Sequence, residues 1–124
     1  MAKTKKVLLV EDERVVCELL KHVFEGNGYI FANAFNGMEG LAKIEEFSPD
    51  VIIMDVNMPQ MDGWQTLSAL KSSPKTSAIP VIMCTAKNAF SDIEQANELG
   101  CQGYVTKPVI PERILRKVKE ILGE

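Results

Sequence analysis

Short apolar runs alternate along the chain with longer stretches in which apolar residues recur every three or four positions. The runs have the length of β-strands and are rich in valine and isoleucine: Val7 to Val10, Tyr29 to Ala34, Val51 to Met54, Val81 to Cys84 and the short Tyr104-Val105. The longer stretches predict amphipathic helices, one after the first strand and others near Gly37 to Phe47, Gly63 to Ser72, Ala89 to Leu99 and Pro111 to Leu122. The pattern therefore predicts five strands and five helices in strict alternation.

The first predicted helix has the clearest apolar stripe. Its apolar positions are Val15, Val16, Leu19, Leu20, Val23 and Phe24, with polar residues on the opposite face. We predict that Asp12 is its N-cap and that Gly26 and Gly28 mark its end, because glycine readily adopts a left-handed backbone. His22, the chain's one histidine, falls on the polar face and is expected to be solvated, without a role as phosphodonor or metal ligand.

Alternating strands and helices restrict the fold. A helix that joins two parallel strands crosses over in a right-handed sense, and repeated crossovers cover both faces of the sheet. We therefore expect one α/β domain over residues 1–124, a three-layer sandwich around a five-stranded parallel sheet. Ligands of such sheets bind beyond the carboxyl ends of the strands, so the residues there are the first candidates for function.

The predicted strand ends carry an unusual number of polar residues. Glu11 and Asp12 follow the first strand, Asp55 follows the third, and Thr85 and Lys107 follow the fourth and fifth. Neighbouring strands lie about 4.8 Å apart, so the three carboxylates crowd at one edge if the first and third strands are neighbours. Crowded carboxylates repel one another unless a cation compensates, and Mg²⁺, which takes oxygen ligands, is the economical answer.

A purely structural explanation also exists for these residues. Taken alone, Glu11, Asp12 and Glu13 suit a solvated helix start, where acids oppose the positive end of the helix dipole. Asp55 is harder to explain in this way, because it follows an apolar run expected at the centre of the sheet, where an unpaired carboxylate is costly. Lys107 fits either a simple salt bridge with Asp55 or a site that neutralises an incoming phosphoryl group.

Composition narrows the class of protein. The chain has 124 residues and a net charge of −3, so the broad basic surface that direct DNA binding requires is not expected. No apolar run approaches the roughly 20 residues needed to span a bilayer, so no membrane partner is predicted. The three cysteines, Cys17, Cys84 and Cys101, are odd in number and widely spaced, which favours free thiols in a reducing cytoplasm.

Together these residues resemble the receiver domain of two-component response regulators. The resemblance covers nearly the whole chain and rests on five motifs in the family's order: Glu11-Asp12, Asp55 to Gly63 with the sequence DVNMPQMDG, Thr85-Ala86, Tyr104 and Lys107-Pro108. It implies a flavodoxin-like (βα)5 fold with strand order 2-1-3-4-5, as in the chemotaxis regulator CheY. Because the sequence stops directly after the last predicted helix, we expect a stand-alone receiver, although an excised domain would look the same.

The resemblance implies a role for each residue at the strand ends. Asp55 is expected to accept a phosphoryl group from the phosphohistidine of a sensor kinase or phosphotransfer protein. Mg²⁺ is expected to bind the side chains of Asp12 and Asp55, the backbone carbonyl of Asn57 and, through water, Glu11. This division of labour suits phosphoryl transfer, which asks mainly for in-line positioning and charge neutralisation.

The same resemblance implies a switch that couples the site to a partner-binding face. Lys107 and Thr85 are expected to grip the phosphoryl oxygens, with Thr85 moving toward them while Tyr104 swings inward. These movements remodel the face formed by the predicted fourth helix, fifth strand and fifth helix, where a downstream protein target binds. Members of the family catalyse their own phosphorylation and dephosphorylation, so we expect this chain to be a signalling switch and not a turnover enzyme.

Smaller roles also follow from the resemblance. Pro108 is expected to follow a cis peptide bond that aims Lys107 at the site. Met58 is expected to cover the phosphoacceptor, its alternative being ordinary loop packing, and Asn57 and Lys87 to flank the path of the attacking water. A kinase is expected to dock on the first helix, around Arg14, Val15 and Glu18, and on the loop after Lys107.

Other classes of protein fit less well. A haloacid-dehalogenase-like phosphatase places its Asp-x-Asp pair after the first strand, whereas Asp55-Val56-Asn57 follows the third. A dinucleotide or flavin module has a glycine-rich or hydroxyl-rich phosphate loop where this chain has Glu11-Asp12-Glu13. The serious alternative is a receiver-like interaction module that acts without phosphorylation, although such a module should have lost Asp55 or Lys107.

Overall fold

Five parallel strands form the centre of the protein. The computed structural model describes residues 4–58, 61–85, 94 and 100–124. The strands are β1 (Lys6–Val10), β2 (Ile30–Ala34), β3 (Val51–Asp55), β4 (Val81–Thr85) and β5 (Gly103–Thr106), in the sheet order β2-β1-β3-β4-β5. The predicted strand order and α/β class are confirmed, and each predicted strand is recovered with its ends shifted by one residue at most.

Helices cover both faces of this sheet. They are α1 (Arg14–Gly26), α2 (Gly37–Phe47), α3 (Gly63–Ser72) and the C-terminal helix (Pro111–Leu122). The helix predicted near Ala89 to Leu99 lies outside the described residues, apart from Glu94, which is helical. In the described part of the chain no helix is both long enough and apolar enough to cross a membrane.

The alternation of side chains along each strand divides the core into two clusters. One cluster joins the sheet to α1 and the C-terminal helix, and includes Leu9, Phe24, Ile53 and Ile114. The other joins the opposite face to α2 and α3, and includes Leu8, Ile44, Ile52 and Leu67. Because β3 and β4 are buried along their whole length, they read as continuous apolar runs in the sequence.

Helix α1 faces the core with a different stripe from the predicted one. Its buried residues are Cys17, Leu20 and Phe24, whereas Val15 is 77% exposed and Leu19 is 44% exposed. At about 100° per residue, Leu19 and Val15 lie about 100° and 140° around the helix from Leu20, beyond the edge of the buried arc. The predicted stripe was therefore wrong at these two positions, and it missed Cys17 as a core residue.

The start of α1 also differs from the prediction. The N-cap is Glu13, which makes no side-chain capping hydrogen bond, so the prediction that Asp12 caps the helix is wrong. The backbone N–H of Glu13 instead donates to the carboxylate of Glu11 at 3.2 Å. The loop between β1 and α1 is therefore organised around Glu11, and it leaves Asp12 exposed at the end of the sheet.

Helix α3 begins directly against the end of β3. Asp62 caps it with a reciprocal capping box to Gln65, and the backbone N–H of Gly63 donates to Val56 O at 2.9 Å. A Cβ atom at Gly63 would lie 2.3 Å from the carbonyl oxygen of Asp55, closer than any side chain can approach. Only glycine therefore allows α3 to pack this closely against the strand that carries Asp55.

We predict that Gly63→Ala lowers the free energy of unfolding by about 3 kcal/mol, because the new methyl group must displace backbone and not a flexible side chain. Urea denaturation of the two proteins measures this difference. Gly26→Ala is the matched control, since a Cβ there meets nothing within 4 Å, and it should change stability by less than about 1 kcal/mol. Equal stability of Gly63→Ala and the parent protein would contradict the steric argument.

Candidate functional site

A buried carboxylate, Asp55, and a half-buried ammonium group, Lys107, form an ion pair at the carboxyl end of the sheet. Asp55 is the last residue of β3 and is 1% exposed, and the Nζ atom of Lys107 lies 2.6 Å from its Oδ1 atom. The backbone N–H of Lys107 donates to Thr85 O at 2.7 Å, and the Lys107-Pro108 peptide bond is cis, as predicted. The chain after β5 is thereby held so that the ammonium group points at the end of β3.

Charge and burial compete at Lys107. Burial alone lowers the pKa of an ammonium group, because the charged form loses hydration. At Lys107 the hydrogen bond to Asp55 and the attraction of Asp55 and Glu11 outweigh that loss, so its pKa is raised above the ordinary value. Lys107 is therefore a permanent cation at neutral pH.

Three carboxylates meet beside this cation. Oxygen atoms of Glu11, Asp12 and Asp55 lie within 4.8 Å of one another, as expected from the adjacent positions of β1 and β3. Glu11 is 2% exposed, so the alternative of a solvated helix start is wrong for this residue, although Asp12 and Glu13 are exposed. Burial and, next, the charge of Asp55 raise the pKa of Glu11 to about 7.

Glu11 is held at each of its polar groups. Its backbone N–H donates to Ala34 O at 2.9 Å, which extends the pairing of β1 with β2 by one residue. Its carboxylate accepts from the N–H of Glu13, and its carbonyl oxygen lies 3.5 Å from the thiol of Cys17. The peptide unit before Glu11 is thus held by β2, and the peptide unit between Glu11 and Asp12 is held by α1 through Cys17.

Thr85 ends β4 at the same edge of the sheet. Thr85 is fully buried, and its Oγ1 atom makes no hydrogen bond with any of the described residues. A buried hydroxyl without a partner is uncommon and costly. Thr85 thus ends the strand next to β3, on which Asp55 lies, with a hydroxyl that no described residue satisfies.

The remaining candidates lie at different distances from the carboxylate cluster. Asn57 is exposed, and its backbone N–H lies 3.4 Å from Asp55 Oδ1. Met58 is 9% exposed and belongs to the apolar core on the α2 and α3 face, together with Trp64. Tyr104 is 37% exposed and does not join the cluster, since it lines a cavity of about 260 Å³ between β5 and the C-terminal helix.

Two further residues singled out in the sequence are His22 and Lys87. His22 is exposed on α1, as its position on the polar face predicted. Lys87 lies outside the described residues.

The donor set at this edge fits a hard divalent cation. Carboxylate oxygens are the ligands that Mg²⁺ prefers, and Asp12 is open to solvent, which leaves room for water ligands. The site gathers three carboxyl groups against the single ammonium of Lys107, an excess of acidic groups that a divalent cation can compensate. The residues present therefore suit Mg²⁺ in charge and in chemistry.

Two elements of the site were not found from the sequence. The capping box of α3 has a visible signal, because Asp62 and Gln65 have the required three-residue spacing. The contact of Cys17 with Glu11 has no such signal, since it depends on how α1 is rotated about its own axis.

Comparison with known proteins agrees with this arrangement. A family profile described as the response regulator receiver domain matches residues 7–119. The polar-differentiation response regulator DivK of Brucella ovis is 33% identical over 121 residues, which cover 98% of each chain.

Solved structures give the same result. A putative response regulator from Chloroflexus aurantiacus superposes with a TM-score of 0.91 at 34% identity, covering 98% of this chain and 100% of that one. The chemotaxis protein CheY4 of Vibrio cholerae superposes with a TM-score of 0.90 at 30% identity, covering 96% and 99%. The flavodoxin-like fold and the motifs at its strand ends therefore have one explanation: the chain belongs to the response regulator receiver domain family of two-component signalling.

Proposed function

We propose that Asp55 accepts a phosphoryl group from the phosphohistidine of a sensor kinase or phosphotransfer protein. The observation that carries this proposal is the 2.6 Å contact of Lys107 with a carboxylate that is 1% exposed. A buried carboxylate with one fixed cation and two carboxylate neighbours is an expensive arrangement for stability alone. Such an arrangement suits a site that receives a negatively charged phosphoryl group.

The chemistry is a displacement at phosphorus. A carboxylate oxygen of Asp55 forms a bond to phosphorus as the bond from phosphorus to the imidazole nitrogen breaks, and the electron pair of that bond stays on the imidazole. The product is an aspartyl phosphate. Lys107 balances negative charge on the transferred group, and the buried floor of the site keeps the nucleophile fixed in line.

Receiver domains bind Mg²⁺ at an acidic pocket, and this chain has an acidic cluster at the corresponding place. We infer that Asp12 and Asp55 hold the ion through their side chains, Asn57 through its carbonyl and Glu11 through water. Bound Mg²⁺ supplies positive charge to the phosphoryl oxygens. The exposure of Asp12 supports this assignment, because the ion can exchange with solvent there.

The proposed switch begins at Thr85. Its hydroxyl has no hydrogen-bond partner within the described residues, and a phosphoryl oxygen on Asp55 is an acceptor within the same strand ends. Movement of Thr85 toward that oxygen vacates space into which Tyr104 turns from its half-exposed position. The face around β5 and the C-terminal helix then changes shape for a downstream protein target.

Members of this family interact with kinases or phosphotransfer proteins and with downstream targets. We propose that residues 1–124 act as one receiver unit in the cytoplasm, as a switch that catalyses its own phosphorylation and dephosphorylation. Asn57 and Lys87 are proposed to flank the attacking water. Docking of a kinase on the exposed face of α1 agrees with Val15 being 77% exposed beside Arg14 and Glu18.

A second function is binding of partners without phosphorylation. In such an interaction module the ion pair of Asp55 and Lys107 would stay intact while a partner binds. The first experiment below separates the two functions.

Asp55→Asn should abolish phosphorylation, because the amide cannot act as the nucleophile. The intact mass of the protein after incubation with acetyl phosphate and Mg²⁺ measures this, and the parent protein should gain one phosphoryl group. Asp62→Asn is the matched control, since asparagine caps a helix as well as aspartate does, and it should be phosphorylated normally. Failure of the parent protein to gain mass, with beryllium fluoride also leaving its NMR spectrum unchanged, would favour the phosphorylation-independent function.

Lys107→Ala should leave a protein that is phosphorylated more slowly and switches poorly, because the cation that grips the phosphoryl group is lost. Backbone NMR shifts of Thr85 and Tyr104 on addition of beryllium fluoride measure the switch. Lys75→Ala removes an exposed lysine near the opposite end of the sheet and should respond as the parent does. A full response of Lys107→Ala at Tyr104 would remove Lys107 from the switch.

The ionisation of Glu11 predicts a pH dependence of stability. Its pKa is about 7 in the folded protein against about 4.5 ordinarily, so the folded state favours the protonated form. The resulting stabilisation is complete below about pH 4.5 and is lost as the pH rises through 7. In the presence of a chelator, the free energy of unfolding of Glu11→Gln relative to that of the parent protein should therefore rise by about 2 kcal/mol between pH 5 and pH 8.

Urea unfolding at several pH values measures this difference. Glu18→Gln, at an exposed position of α1, is the control and should show no such trend. A constant difference between Glu11→Gln and the parent protein across this range would show that Glu11 does not titrate there.

A further inference from the structure

The thiol of Cys17 lies against the main chain of the acidic loop. Cys17 is 4% exposed on the buried face of α1, and its Sγ atom donates to the carbonyl oxygen of Glu11 at 3.5 Å. The Nδ2 atom of Asn33, on β2, donates to the same sulfur at 3.3 Å. A chain of two hydrogen bonds thus runs from the edge strand through the thiol to the end of β1.

The carbonyl oxygen of Glu11 belongs to the peptide plane that joins Glu11 to Asp12. Peptide units are rigid, so the orientation of this plane sets where the main chain of Asp12 begins and where its carboxylate can point. Asp12 is exposed, so packing against other residues does little to hold it. A hydrogen bond to the Glu11 carbonyl is therefore a direct way to fix the position of Asp12.

The donor in this contact is a neutral S–H group. An ordinary thiol has a pKa of about 8.5, and the Cys17 thiol is buried and lies against a carbonyl oxygen, which can only accept a hydrogen bond, so the sulfur keeps its proton at neutral pH. The amide of Asn33 occupies a lone pair of the sulfur, which leaves the S–H bond free to point toward Glu11. The sulfur of Cys17 therefore accepts a hydrogen bond from Asn33 and donates one to the carbonyl oxygen of Glu11.

We propose that Cys17 is a positioning residue for the metal site, where its thiol holds the Glu11–Asp12 peptide so that Asp12 faces the cation. This inference rests on the proposed function, since it concerns the Mg²⁺ that the function requires. Cys17 does not touch the ion or the phosphoryl group. Its effect reaches the site through Asp12.

The expected effect is moderate. A thiol is a weak donor, and a net hydrogen bond contributes about a fivefold factor in an equilibrium constant. A cavity of about 210 Å³ between α1 and β2 borders Cys17, so water can partly replace the lost donor in a variant. We therefore expect Mg²⁺ affinity to fall about fivefold, and not by orders of magnitude, when the thiol is removed.

The test is calorimetric titration of Mg²⁺ into the unphosphorylated protein, with Trp64 fluorescence as a second readout. Cys17→Ala should bind Mg²⁺ about fivefold more weakly, and Cys17→Ser, which keeps a donor, should stay within about twofold of the parent. Cys101→Ala is the matched control, since that free, half-buried cysteine bonds to Gly103 O at the opposite end of the sheet, and it should bind normally.

A double-mutant cycle separates positioning from general destabilisation. If Cys17 acts through Asp12, Cys17→Ala should weaken Mg²⁺ binding in the parent but have no further effect in the Asp12→Ala background. Asn33→Ala, at a half-buried position on β2, tests the same chain of hydrogen bonds with less disturbance of the core, and should weaken binding about twofold.

Three results would overturn the inference: unchanged affinity of both Cys17→Ala and Asn33→Ala, an equal loss in Cys17→Ser and Cys17→Ala, or a loss that persists in the Asp12→Ala background. Each of these leaves the proposed function intact if the parent protein binds Mg²⁺ and is phosphorylated. A parent protein that does neither overturns both together.

Discussion

A negative charge at the end of the central strand is the constraint on which the rest of this structure depends. Asp55 is 1% exposed at the end of a fully buried strand, and the ammonium group of Lys107 reaches it from the end of β5. That contact in turn requires β5 to end beside β4 and the side chain of Lys107 to turn toward β3. Three features of the fold therefore meet at this one carboxylate: the order of the strands, the turn after β5 and the close start of α3 at Gly63.

Much of this architecture can be predicted from the sequence, because its signals are local or follow from geometry. The alternation of apolar runs with amphipathic stretches fixes a parallel sheet, and a parallel sheet brings all its carboxyl ends to one edge. The parallel sheet brings these residues to one edge: Glu11, Asp12, Asp55 and Lys107. The buried runs of β3 and β4 leave little freedom in where their strands begin and end.

The predictions from the sequence that were wrong, at α1 and at Glu11, have a different physical origin. The rotation of α1 about its axis depends on what the sheet and the C-terminal helix offer it, so the exposure of Val15 and Leu19 has no counterpart in the spacing of apolar residues. Glu11 resembles its exposed neighbours in sequence, yet the extra residue of pairing with β2 carries it into the interior. Interactions of this kind depend on contacts between elements that are distant along the chain, and single-sequence patterns do not contain them.

The unpartnered hydroxyl of Thr85 has a consequence for signalling at rest. A buried polar group without a hydrogen bond costs about 1–3 kcal/mol, and within the described part of the chain this hydroxyl is in that condition. Under the proposed function, an aspartyl phosphate removes that cost, and a gain of one or two kcal/mol changes an equilibrium constant by about five- to thirtyfold. A bias of this size does not silence the unmodified protein. If the proposed switch operates, the unmodified protein would therefore keep a basal output, whose level would depend on the energy of a single threonine side chain.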